Sequence, residues 1–252
     1  MNDTRLDEHI DANEQRLVDT ALNLLAFDTQ NPPGDTADIV EYIRRELATV
    51  GLETTQVGDD IAPGVVGWFP TQPDPDFLFL GHLDTIPFDS DQWSVDPLGE
   101  RDGNIVYGRG ATDMKGAVAA MLSVAHALEA TAETAPDVGF VFTSDEETGG
   151  KAALTEALDT FETPPEACLI GEMSGTPDRP SVAIADKGSI WLKLQSNGDP
   201  AHGSRPVLGA NAIDILYTLS ISFGRNCSRT HSTCIPMSNV FSHSQWPITP
   251  PR

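Results

Sequence analysis

Phe77-Leu-Phe-Leu-Gly81-His82-Leu-Asp84-Thr85 is the stretch from which the rest of the chain is read. Four apolar residues predict a short buried strand. Gly81 ends it, and His82 and Asp84 follow two positions apart. Side chains in extended backbone repeat every two residues, so this pair projects to one side. An imidazole that binds metal through one nitrogen usually gives its other N–H to a carboxylate, which makes Asp84 the orienting partner of His82.

Three further segments share that grammar. Tyr107-Gly-Arg-Gly-Ala-Thr-Asp113-Met-Lys-Gly116 sets Asp113 among glycines, just ahead of an Ala-rich helix. A carboxylate there suits a bridge between two cations and also a helix N-cap, two compatible roles. It does not suit a phosphate loop, because Asp113 stands where a dinucleotide fingerprint needs its third glycine. In Val138-Gly-Phe-Val-Phe-Thr-Ser-Asp145-Glu146-Glu147-Thr-Gly-Gly150, three adjacent carboxylates follow an apolar run. They repel one another unless something positive sits nearby. Glu146 and Glu147, being neighbours, point different ways, so that one binds a metal while the other works as a base. Ala167-Cys-Leu-Ile-Gly171-Glu172-Met again leads an apolar strand through glycine to a carboxylate. The four segments together place His, Asp, Glu and Glu at strand ends, where open α/β sheets build their sites.

Outward from these segments, helical periodicity over 13–27 ends at Asn31-Pro-Pro-Gly34, and a second helix over 36–50 stops at Gly51. Strands are expected at 65–69, 77–80, 138–143 and 168–170, helices at 114–129 and 152–158, and a loop over 87–109. This alternation is the pattern of an α/β fold with a mostly parallel sheet flanked by helices. From about Lys187 the texture changes: residues 190–195 alternate like a half-exposed antiparallel strand, and 209–220 read as an amphipathic helix, the start of a smaller α+β domain. The expected division is 1–185, 186–222 and an anomalous tail, 223–252.

The chain has 252 residues, enough to bury a sizeable core. It carries 38 Asp+Glu against 15 Lys+Arg, a formal charge of −23, and its only lysines are Lys115, Lys151, Lys187 and Lys193. Salt at molar strength screens such repulsion, so a halophilic cytoplasm suits the composition, and the same acidity argues against nucleic acid as a partner. The sequence has no apolar run long enough for a membrane span, an N-terminus unlike a signal peptide, and three cysteines without a CxxC pair, which point to a cytoplasmic protein. Every acidic residue lies at or before Asp214, leaving none in the last 38 positions. A low-complexity tail and a change of reading frame both account for that break, and the second is the expectation here.

GHLDTIP (81–87), YGRGATDMKG (107–116), SDEETGG (144–150), IGE (170–172) and AHGSRPVLGANAID (201–214) together resemble the acetylornithine deacetylase / succinyl-diaminopimelate desuccinylase family. Aminoacylases and carboxypeptidase G-like zinc exopeptidases are its relatives. The resemblance, over residues 10 to 220, implies a zinc-peptidase-like catalytic domain, a lid/dimerisation domain and a pair of divalent metal ions, zinc or cobalt. It implies His82 and Glu172 on one metal, Glu147 on the other, Asp113 between them with a cis bond after it, Glu146 as proton carrier and His202 as oxyanion donor. Small N-acyl amino acids or peptides are the implied substrates and a homodimer the implied assembly, with a dipeptidase or a catalytically dead remnant as alternatives. The chain departs from the family where a second histidine is due near the C-terminus, since only His231 and His243 remain and neither has a matching context. A truncated, weakly stable and weakly active chain is therefore expected.

Overall fold

In the computed structural model the described residues are 4–134, 136–150, 152–176, 179–185 and 193–227. The chain divides into two compact units, 1–183 and 184–252. The first holds a five-stranded sheet of β1 (Glu53–Gly58), β2 (Pro63–Trp68), β3 (Phe77–His82), β6 (Val138–Thr143) and β7 (Ala167–Ile170), in the order β1-β2-β6-β3-β7. β3 runs parallel to both β6 and β7, while β2 is antiparallel to β1 and to β6. The sheet is thus mixed, with β2 opposed to four strands that point one way. A hairpin of β4 (Glu100–Asp102) and β5 (Ile105–Tyr107) stands apart from it.

Helices α1 (Thr4–Ala12), α2 (Glu14–Leu25), α3 (Ala37–Thr49), α4 (Lys115–Thr131) and α5 (Ala152–Asp159) complete this unit. Strand alternation decides which residues meet which layer. Val65, Phe140 and Phe142 face a core made with Leu24, Ile39, Ile43 and Leu47 of α2 and α3 and Val118, Ala119 and Leu122 of α4. Val66, Leu78 and Val141 face the opposite way and meet Ala157 and Phe161 at and after α5. Helices thus cover both faces, which is why the central strands read as unbroken apolar runs. Among the described residues β7 is the margin of the sheet, and its Leu169 and Ile170 are exposed.

Most of the expected elements have counterparts with ends shifted by a few residues, and several others had no expectation. α1 is acidic and buries no residue. β1, Glu-Thr-Thr-Gln-Val-Gly, is largely polar because it forms the other margin of the sheet. The β4–β5 hairpin lies inside the expected loop, in exposed three-residue strands. Of the strand expected over 190–195, residues 190–192 lie outside the described residues, and 193–195 are not in a strand. In the second unit α6 (Ala212–Cys227) runs past 223, where the anomalous tail was expected to begin. His231 and His243 lie outside the described residues.

Candidate metal centre

β3, β6 and β7 point the same way, so the segments that follow them leave from one edge of the sheet. His82 closes β3, the Asp145-Glu146-Glu147 turn follows β6, and Glu172 comes two residues after β7. Asp113 precedes α4, which packs across this edge. Two glycines permit that approach. A Cβ at Gly81 would lie 2.9 Å from Met114 Cε, and one at Gly171 would lie 2.9 Å from both Met114 Cε and Ala117 Cβ. Each glycine immediately precedes a site residue, so the strand–glycine–ligand grammar has a packing cause. Bare backbone there lets the start of α4 carry Asp113 to the ends of two strands.

His82 is buried, and its Nε2 lies 2.9 Å from Asp113 Oδ1 and 3.2 Å from Glu172 Oε1. One ligand atom from each of these three residues fits within 4.8 Å of the others, as a shared cation requires. The other ring nitrogen, Nδ1, faces Asp84, 2.9 Å from its carbonyl oxygen and 3.4 Å from its carboxylate. Nδ1 therefore carries the proton it donates to Asp84, and Nε2, once its own proton is displaced, is the nitrogen that faces a cation. Glu147 stands outside the tight trio; the Ile86 N–H donates to its Oε1 at 3.2 Å. With Asp113 and Arg109 it lines a cleft of about 170 Å³. The Arg109 guanidinium stacks 5.4 Å over the Trp93 ring. The Asp113–Met114 peptide bond is cis.

Asp84 is fully buried and is the hub beneath the site. Its Oδ2 accepts from Asn31 Nδ2 at 2.9 Å and from the Glu147 N–H at 3.1 Å, and its Oδ1 accepts from the Glu146 N–H at 3.3 Å. Burial alone raises the Asp84 carboxyl, but hydrogen bonds from His82, Asn31 and the Glu147 backbone hold it below the usual range. Burial lowers His82, yet the hydrogen bond and charge of Asp84, with the charge of Glu172, lift it to about 9. Glu147 and Glu172 are raised, first by burial and then by the charge of Asp113, and the charge of Glu146 adds to both. A crowded set of oxygen donors beside one imidazole is under a repulsion that a cation relieves. The donor set therefore fits divalent metal.

Two residues escaped the sequence reading. Asn31 looked only like a helix stop. Lys115 looked like part of a helix, but it is buried, and its Nζ donates to the Phe27 carbonyl at 2.7 Å. Burial lowers its pKa to about 8 against the opposing pull of Asp28 and Asp84. In the second unit His202 is exposed, and its Nδ1 accepts from the Ser204 N–H at 3.2 Å. Its proton is therefore on Nε2, which is a hydrogen-bond donor.

The chain is similar to known proteins in sequence and in fold. The chain is 33% identical over 185 residues to an N-acetyl-L-citrulline deacetylase of Xanthomonas campestris pv. campestris, covering 72% of this chain and 46% of that protein. It is 36% identical over 174 residues to a succinyl-diaminopimelate desuccinylase of Maricaulis maris, covering 64% and 42%. An acetylornithine deacetylase of Pasteurella multocida is 36% identical over 142 residues, 56% of this chain and 35% of that one. The chain thus spans less than half the length of each of these three relatives. Human carnosine dipeptidase 1 shares the fold, with a TM-score of 0.55 and 23% identity over 66% of this chain and 40% of that one. The family model for peptidase family M20/M25/M40 matches residues 78–234, well over half of the chain and all four strand-end segments. By that match and by the residues gathered at the sheet edge, the chain belongs to peptidase family M20/M25/M40.

Proposed function

We propose that this chain is the metal-binding part of a hydrolase that cleaves the amide bond of small N-acyl amino acids. The observation that carries the reading is His82, held by Asp84 at one nitrogen and within 3.2 Å of both Asp113 and Glu172 at the other. His82 and Glu172 would hold one divalent ion, Glu147 a second, and Asp113 would lie between them; zinc is the proposed metal, with cobalt an acceptable substitute. Such a pair, when bound, polarises the scissile carbonyl and makes water acidic enough to attack at neutral pH.

The chain's own groups supply the rest. Glu146 sits in an exposed turn beside the centre, where its carboxylate takes the proton of the attacking water and returns it to the leaving amine. His202, as the family resemblance implies, would be the donor for the developing oxyanion in the site of a partner subunit. The relatives matched in sequence are named as deacylases, whereas the likeness to a dipeptidase is one of fold, so acyl amino acids are preferred to dipeptides as substrates. A salt-rich cytoplasm is the proposed setting.

The test measures metal content and the hydrolysis of N-acetyl and N-succinyl amino acids by the zinc-loaded chain. Glu146→Gln should keep the metal and lose roughly a hundredfold or more in turnover. Failure of the unaltered chain to take up divalent metal would sink the reading.

A further inference from the structure

The Asn31-Pro-Pro-Gly34 turn does more than stop a helix. Asn31 Nδ2 lies 2.9 Å from Asp84 Oδ2, 3.5 Å from the Ser144 carbonyl and 3.4 Å from Thr148 Oγ1. The Thr148 hydroxyl donates to the Asp145 carbonyl at 3.2 Å, so its oxygen faces Asn31 as an acceptor. All three partners are therefore acceptors, and a neutral side chain with two N–H donors answers them. An aspartate there has nothing to donate.

The turn is pinned along its length. The Asn31 N–H donates to the Thr85 carbonyl at 2.8 Å, the Thr85 N–H to the Thr29 carbonyl at 3.0 Å, and the Thr29 hydroxyl to the Leu83 carbonyl at 2.7 Å. Gly34, at a φ of 82°, leaves room for the amide, since a Cβ there would lie 3.0 Å from Asn31 Cγ. Three segments distant in sequence thus meet at one amide: the turn itself, the His82–Asp84 strand end and the turn bearing Glu146 and Glu147.

We propose that Asn31 is a positioning residue that clamps the Asp84 carboxylate against the Glu146–Glu147 turn, so that His82 and Glu147 are set for metal together. This rests on the function proposed above. A neutral clamp leaves the full charge of Asp84 to act on His82, where a cationic one would cancel it.

The experiment is calorimetric zinc titration of the full chain as the unaltered protein, Asn31→Ala, Asp84→Asn and the double variant, with the melting midpoint of each. Asn31→Ala should weaken zinc binding by about tenfold or more, the cost of losing a partner that orients a ligand. In the Asp84→Asn background the same change should cost under about twofold, because the carboxylate it acts through is gone. Should Asn31→Ala fail to fold, Asn31→Ser, uncharged and too short to reach the carboxylate, is read in its place. Equal losses in both backgrounds, or a lower melting midpoint with unchanged zinc affinity, overturn the inference and leave the metal centre standing. No zinc uptake by the unaltered chain overturns both.

Discussion

Lys115 shows how far a single residue can be from its sequence appearance. A lysine in the first turn of a helix reads as solvent-facing, yet this one is 1% exposed and anchored to the Phe27 carbonyl. Its folded pKa of about 8 lies below its ordinary 10.5, so the unfolded chain binds the extra proton between those values. Stability from this group therefore rises with pH: the cost of the buried charge is full below pH 8 and is relieved toward 10.5. The difference corresponds to about 3 kcal/mol. His82 in the metal-free chain has the opposite sign, stabilising below about 6.5 and losing that contribution as pH climbs through 9. Comparison with Lys115→Met isolates the first effect. Between pH 7.5 and 10.5 the melting midpoint of the unaltered chain should gain on that of the variant, and a constant gap would contradict the buried charge.

Among the elements, α4 and the ends of β3 and β7 form the least forgiving contact. Gly171→Ala would set a Cβ 2.9 Å from Ala117 Cβ, an atom that cannot swing aside as Met114 or Met121 can. The helix would have to back away from β7, carrying Asp113 from Glu172. The expected cost is about 1–3 kcal/mol in urea denaturation, with weaker zinc binding; an unchanged midpoint would mean that α4 is free to shift. This contact also explains what could be read beforehand. A buried parallel strand announces itself as an apolar run, and a glycine before a candidate ligand marks where a helix comes close, so β3, β6, β7 and the gathering of His82 and Glu172 were legible. β1 was not, because a sheet margin needs few apolar residues, and neither was α1, which buries none. Asn31 was hidden for another reason. Its partners lie 53 to 117 positions away, and no local pattern encodes a hydrogen bond of that span.

For the molecule as a whole, the −23 charge is the dominant fact. Close pairs such as Arg45–Glu41 at 2.9 Å are exposed, and such pairs contribute little. What salt must counter is the mutual repulsion of the acidic surface, and about 1 M suffices to shorten the Debye length to roughly 3 Å. The melting midpoint should climb steadily from 0.1 to 2 M potassium chloride and then level off. A fall across that range would remove the case for a salt-adapted protein. The margin formed by β7 has its own consequence. Among the described residues, the strand that leads to Glu172 is paired with β3 alone, so the hold on the cation from this side depends on one ladder of hydrogen bonds. A further strand laid along the other side of β7 would stiffen the ligand without touching it, and occupancy of the centre would then report on that pairing.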